Sequence, residues 1–523
     1  MGSGVYRAGE MMTPAMSDVL YHKDGKTATV TCIRENDVLM SIRTNGKTDA
    51  AIVMARGSEV SPDESTMTLL AVIPMSLNPR AETAAAIGLG SGLTSHTLLS
   101  NPRLRQVDTV EIEKGMIEAA NNFRPRVEYV FSDPRSKIHN DDAKTFFSTY
   151  NKKYDLIVSE PSNPWVSGVA GLFSAEFYRL IGRHMNDDAL FVQWIQLYEI
   201  NVELVASILK SISANFSDYA VYASNNSDIM VIARKKGQLP APDAGVLKIP
   251  AIADALKKIN VEGVEDIEIR RIGNKRNFSR LVETFPIQGN SDYFPVLDQG
   301  AARARFLGST AQEILNLHYS MAMLGGTDKK RETTNITPSP DLTISRQTFS
   351  AMGLRDYFLQ GRSNWRFVPV DLQTNAGLLK QMCAGNALGD GNERLKLEFS
   401  LSNAMGLFLT SAEMEAIWKT LATGPCNALV SPQEREWFKL FKAAGTRDAG
   451  AMLEGAKSLL ADSNHLSPDL KKYLLAVGML GALSQGKKED SSRLWSEYGV
   501  KLFDDGSEPS LVFRMLAAES SPP

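Results

Sequence analysis

The chain has 523 residues, 57 Lys and Arg against 60 Asp and Glu, a formal net charge of −3 and a hydrophobic share of 43%. That is ordinary globular usage, which excludes a wholly disordered or collagen-like chain. The near-neutral balance gives no global field to draw in a polyanion, so no nucleic-acid partner is expected.

The opening stretch, MGSGVYRAGEMMTP, lacks the apolar run of a signal peptide and reads as a cut edge, which leaves open a membrane part before it. Between Lys26 and Met54 the pattern alternates through TATVTCIR, DVLMSIR and TDAAIVM, with Asn45-Gly46 as a two-residue hairpin signal. A small antiparallel sheet is predicted, within a domain over 17–60. From Thr83 to Lys235, TAAAIG, VDTVEI, SKIHN, YDLIVSE, ALFVQW, YAVYAS and DIMVIAR read as strands separated mostly by amphipathic stretches. Such alternation predicts a mostly parallel sheet covered on both faces, over 61–236, with the last two strands as an antiparallel hairpin around Asn225-Asn226.

A helical extension is expected over 246–324, and the polar run Gly325 to Pro340 reads as a flexible linker. Helices fill 341–520, with Ser431, Asp448, Ser467 and Asp490 as N-cap candidates and Gly445 and Gly486 as stops. This segment suggests an all-α, repeat-like domain, either packing on the rest or offering a surface to a protein partner. Its longest apolar run, Leu474 to Leu483, is about half the roughly 20 residues of a membrane span, so no span is predicted. Cys32, Cys383 and Cys426 lie far apart, which predicts neither a disulfide framework nor a zinc cluster and points to a reducing compartment. A cytoplasmic location is expected, or the soluble part of a membrane-anchored protein.

The chemistry gathers where strands end. Gly88-Leu89-Gly90-Ser91-Gly92 follows the strand TAAAI and precedes a helix-like stretch, a turn through which backbone approaches a phosphate or nucleoside. Glu111 closes the next strand, where a carboxylate accepts both ribose hydroxyls. Asp142, with Ala143 after it, follows the third strand and suits either an adenine amino group or the N-cap of the helix AKTFF. Glu160 ends the fourth strand and faces the same crevice, as a general base or a seat for a cation; Trp165 offers an apolar wall. Together these predict a nucleoside-containing ligand.

In this order, YHKDGKTATV, the NGK hairpin, IGLGSG, VEIE, NDDAKTF, YDLIVSEPSNPW and LFSAEFY resemble the spermidine synthase (polyamine aminopropyltransferase) family over about Tyr21 to Lys235. NSDYFPVLD at 290–298 resembles a tail motif of its membrane-fused, spermidine-synthase-like subgroup. The resemblance implies a small N-terminal β-domain on a Rossmann-like methyltransferase fold, with a homodimer left open. It implies transfer of an aminopropyl group from decarboxylated S-adenosylmethionine to a small-molecule amine acceptor, with no permanently bound cofactor and no metal. Gly88, Gly90, Ser91 and Gly92 would hold the donor, Glu111 its ribose, and Asp142 with Ala143 its adenine. Glu160 would accept the proton, and Asn163, Trp165, Met67 and Gln193 would face the acceptor.

The chain departs from the family at definite places. Ser91 and Asn163 stand where the family has Asp, Glu160 replaces a shorter Asp, Thr66 and Met67 replace polar acceptor contacts, and Lys26 falls near a donor-binding Gln. An unpaired buried charge costs about 3–5 kcal/mol, so losing two acids should weaken binding of the decarboxylated donor and of polyamines. The longer arm of Glu160 moves the base by about 1.5 Å, a misplacement that can cost about a hundredfold in rate. Methyl or other alkyl transfer from intact S-adenosylmethionine therefore stands as an alternative, as does a weakly catalytic nucleoside-binding scaffold.

Overall fold

The computed structural model describes residues 17–55, 57–325, 333–362, 364–384, 391–422, 432–503 and 508–521. The chain divides into two compact units, residues 1–275 with 285–312, and residues 276–284 with 313–523.

In the first unit β1 (Ser17–Asp24), β2 (Thr29–Glu35), β3 (Leu39–Thr44) and β4 (Lys47–Val53) form an antiparallel sheet in sequence order. The β3–β4 turn runs through Asn45 at φ 49° and Gly46 at φ 79°, the positive pair that the Asn-Gly signal predicts. β1 escaped the sequence pattern because most of its side chains are exposed, so no apolar alternation marks it.

The helix that follows, α1 (Pro62–Leu77), starts with a capping box in which Ser61 and Glu64 each serve the other's backbone N–H. Glu64 is buried, accepts a further hydrogen bond from the Val53 N–H at 2.8 Å, and is paired with Arg126. One carboxylate thus pins the small sheet to the start of α1.

Eight further strands form the second sheet: β5 (Thr83–Ile87), β6 (Gln106–Glu111), β7 (Ser136–Asn140), β8 (Tyr154–Ser159), β9 (Met185–Gln196), β10 (Asp218–Ala223), β11 (Asp228–Arg234) and β12 (Arg271–Asn274). Their order is β12-β10-β11-β9-β8-β5-β6-β7. β7, β6, β5, β8 and β9 run parallel, and β11, β10 and β12 add on antiparallel. This is the Rossmann-like methyltransferase arrangement, and its strand order reverses beside β5, where such sheets bind ligands. The β10–β11 hairpin at Asn225-Asn226 is present; β12 lies in a stretch that reads as mainly helical. Alanines and branched residues of β5, β8 and β9 pack under α1, and a second cluster joins the small sheet to Met67, Leu89, Leu93 and Phe123.

Among the described residues after 341 the regular elements are all helices, including Thr343–Gln360, Ser411–Ala422, Ala449–Ala461 and Pro468–Ser484. Asp448 and Ser467 cap their helices as the sequence suggests. Asp490 does not, because the helix Lys488–Leu494 begins before it. Gly486, at φ 73°, stops its helix; Gly445 lies inside the helix Pro432–Thr446, and Arg447, at φ 57°, makes the left-handed turn. Residues 333–340 are not a loose linker: Thr334 is buried and gives both its N–H and its hydroxyl to Glu413 at 2.9 and 2.8 Å. The opening residues 1–16, linker residues 326–332, Ser431 and Cys426 lie outside the described residues. Cys32 is a free buried thiol, whereas Cys383 is disulfide-bonded. Among the described residues no helix is long and apolar enough to cross a membrane.

Candidate active site

The carboxyl ends of β7, β6, β5 and β8 open into one cavity of about 650 Å³. They bring Asp142 and Ala143, Glu111, Gly88 with Gly90, and Glu160 to its wall. The small sheet closes it with Thr27, Lys47 and Asp49, α1 adds Asp63 and Met67, and the β10–β11 hairpin adds Asp228.

Gly88 is required twice over. Its φ is 90°, and a Cβ there would meet the Glu160 carbonyl oxygen at 2.3 Å, so the ends of β5 and β8 close together only around glycine. Glu111 accepts from the N–H groups of Leu89 and Glu113, each at 2.9 Å, which fixes the carboxylate beside the glycine loop. Burial nevertheless pushes it up to about 7, against those two bonds. Asp142 caps the helix Ala143–Thr149, accepting from Thr145 N–H at 2.8 Å, and still lines the cavity. Both readings of that residue are compatible in one side chain.

The other end of the cavity is strongly acidic. Burial pushes Glu160 up to about 7, with Thr94 working against it and the Asp228 and Asp63 carboxylates adding to it. Asp63 is also pushed up to about 7, by burial and then by Asp228. Asp228, likewise raised by burial, accepts from Asn225 at 3.0 Å and Thr66 at 3.1 Å through Oδ2. Its Oδ1 makes no well-formed hydrogen bond, although Trp194 is near enough to favour the charged form. Counter-charge comes from buried Lys47, whose ammonium sits 2.8 Å from Asp49. Eight carboxylates and two lysines line the cavity. A cation entering it would relieve mutual repulsion and recover charge–charge energy that water no longer screens.

Several predicted contacts point elsewhere. Ser91 is fully buried between the turns at Gly90 and Gly92, its hydroxyl given to Met67 Sδ at 3.1 Å, and neither Ser91 nor Gly92 reaches the wall. Asn163 is buried away from the cavity, because the turn from Asn163 C=O to Val166 N–H rolls residues 163–165 off the wall. Trp165 is therefore no wall; the Arg305 guanidinium stacks on its ring at 3.7 Å. Gln193 alternates to the face opposite Trp194 and meets the Tyr178 hydroxyl at 3.4 Å instead. Lys26 is exposed and off the wall.

Residues 64–226 match the spermine/spermidine synthase domain family. The polyamine aminopropyltransferase of Desulforudis audaxviator is 26% identical over 144 residues, 28% of this chain and 52% of that protein. That of Alkaliphilus oremlandii is 32% identical over 120 residues, 23% of this chain and 42% of the relative. The chain thus spans about half the length of the curated relatives it matches. Among solved structures, spermidine synthase from Thermotoga maritima aligns over 42% of this chain and 73% of its own, with 18% identity and a TM-score of 0.33. A probable spermidine synthase from Corynebacterium glutamicum aligns over 53% and 97%, with 15% identity and a TM-score of 0.38. Values this low add nothing to the topology described above.

The chain carries a spermine/spermidine synthase domain.

Within this spermine/spermidine synthase domain lie the glycine loop, Glu111, Asp142 and Glu160. Asp63 and Asp228 fall just outside its matched span, and sequence reasoning missed both as site residues. The signal for Asp63 was an acid in the first turn of α1, which reads as helix-end electrostatics. For Asp228 it was an acid opening a strand. Together they correct the expectation that Ser91 and Asn163 leave the cavity short of negative charge.

Proposed function

We propose that the chain transfers an aminopropyl group from decarboxylated S-adenosylmethionine to a small amine. The observation that carries this reading is Glu160, held near neutrality on the wall of an acidic cavity whose other end has the glycine loop and Glu111. The donor's nucleoside suits the β5–β6 end, where Glu111 accepts from its ribose hydroxyls and Asp142 with Ala143 borders its base. The donor's ammonium and the cationic amine suit the Asp63, Asp228 and Glu160 end. The neutral acceptor nitrogen attacks the carbon beside the sulfonium with its lone pair, the carbon–sulfur bond breaks toward sulfur, and methylthioadenosine leaves. The new nitrogen loses one proton, and Glu160 takes it. A carboxylate near neutrality is matched to that task at physiological pH.

The decisive experiment offers purified protein each donor separately with a pool of diamines and polyamines and identifies products by mass spectrometry. Methylthioadenosine formed only from decarboxylated donor plus amine is the expected result. S-adenosylhomocysteine from the intact donor would replace this reading by methyl transfer.

A further inference from the structure

Behind Glu160, and off the cavity wall, sits Thr94, the second residue of the helix Leu93–Leu99. Its side chain is buried, 4% exposed. Its hydroxyl lies 2.6 Å from Glu160 Oε2 and 3.2 Å from the Met67 carbonyl oxygen. A hydroxyl has one hydrogen, so it cannot donate to both acceptors at full strength. Among the described residues no other group hydrogen-bonds the Glu160 carboxylate.

We propose that Thr94 is a positioning residue that serves Glu160 in both of its proton states, by turning one hydroxyl hydrogen between Glu160 Oε2 and the Met67 carbonyl. This rests on the reading of Glu160 as proton acceptor. While Glu160 is ionised, Thr94 O–H donates to Oε2 and holds the carboxylate against the cavity. When the acceptor nitrogen gives up its proton, the carboxylic acid O–H formed at Oε2 donates back to Thr94 Oγ1. The threonine hydrogen then swings to Met67 C=O. One proton moves from nitrogen to Glu160, no bond other than N–H and O–H changes, and no buried donor is left unpaired in either state. The charged groups facing Glu160 are Asp228, from β11, and Asp63, from α1, and Lys47 of β4 acts on both of those acids. None of them donates a hydrogen bond to Oε2, so the rotor is Thr94's alone.

The test compares Thr94→Val, which keeps the shape and loses the hydroxyl, with Thr94→Ser, which keeps the hydroxyl. Turnover of decarboxylated donor and amine is measured across pH, and methylthioadenosine affinity by calorimetry. A hydrogen bond to a charged group is stronger than one to a neutral group, so its loss raises the proton affinity of Glu160. For Thr94→Val the acid limb of kcat should move up by about one pH unit, a loss of about tenfold below the limb and little at high pH. Thr94→Ser should restore the limb, and nucleoside affinity should be the same in all three proteins. An unmoved limb, a loss equal at every pH, or a serine variant that behaves like the valine one overturns the role of Thr94. Glu160→Gln, run alongside, separates the two ideas. If it keeps turnover, Glu160 is not the base and the underlying reading fails; if it is inactive while the Thr94→Val limb stays put, only the rotor fails.

Discussion

Burial pushes the Glu160 carboxyl up to about 7, against 4.5 for a free glutamate, outweighing the Thr94 hydrogen bond, and two neighbouring acids add to the rise. A carboxyl whose folded value lies above its unfolded one binds its proton more tightly when folded. Stability therefore falls as pH rises from about 4.5 to 7, and the deficit is complete above that. At 1.36 kcal/mol per unit of displacement, the full deficit is about 3 kcal/mol. Glu160→Gln removes it while keeping an oxygen for the Thr94 hydroxyl to meet. At about pH 8 the variant should melt about 5 °C above the parent, and at about pH 5 most of the gain should vanish. Turnover should be lost at both. Calorimetric melts of both proteins at the two pH values, read on the transition of the unit carrying the cavity, make the comparison. Equal melting temperatures at pH 8, or a gain of the same size at pH 5, would refute the claim that this charge is held against burial.

Three further outcomes are expected. Asp228→Asn keeps the Thr66 contact but removes charge from the acidic end, so the KM for the amine should rise about tenfold while methylthioadenosine affinity holds; an unchanged KM would remove Asp228 from acceptor binding. Arg126→Met leaves the Glu64 carboxylate buried and unpaired at the start of α1, and should cost about 3 kcal/mol in a urea titration at neutral pH; a variant as stable as the parent would show that the capping box alone compensates the charge. Gly88→Ala forces a side chain into a left-handed backbone against the Glu160 carbonyl, and should cost at least about 2 kcal/mol by the same titration, with turnover falling alongside.

What the sequence made legible, and what it hid, follows from how each feature is encoded. Asn45-Gly46, the glycine loop, and Glu111, Asp142 and Glu160 at strand ends are local signals. A turn needs residues that tolerate positive φ, and an open parallel sheet gathers the ends of its strands, so reading each strand's last residue already reads one half of the cavity. The acceptor half has no such local code. Asp63 and Asp228 lie 165 positions apart, on a helix start and a strand start, and each has an ordinary role where it stands. Only the packing of α1 against the sheet turns the two into a charged pair, with Thr66 of α1 donating to Asp228 of β11 at 3.1 Å. The same packing explains the opposite errors. Trp165 and Asn163 follow Glu160 in sequence, and a single turn sends them out of the cavity, while Gln193 misses by the one-residue alternation of β9. Negative charge thus reaches this cavity from segments far apart in the chain and not from the strand ends alone. Ser91 and Asn163 supply none of it, whereas Asp63 of α1 and Asp228 of β11 meet the same space by a different route. Under the proposed reaction, a cavity charged this way favours a cation and leaves the shape around it to the neighbouring side chains, so acceptor identity is the property that the amine pool should resolve first.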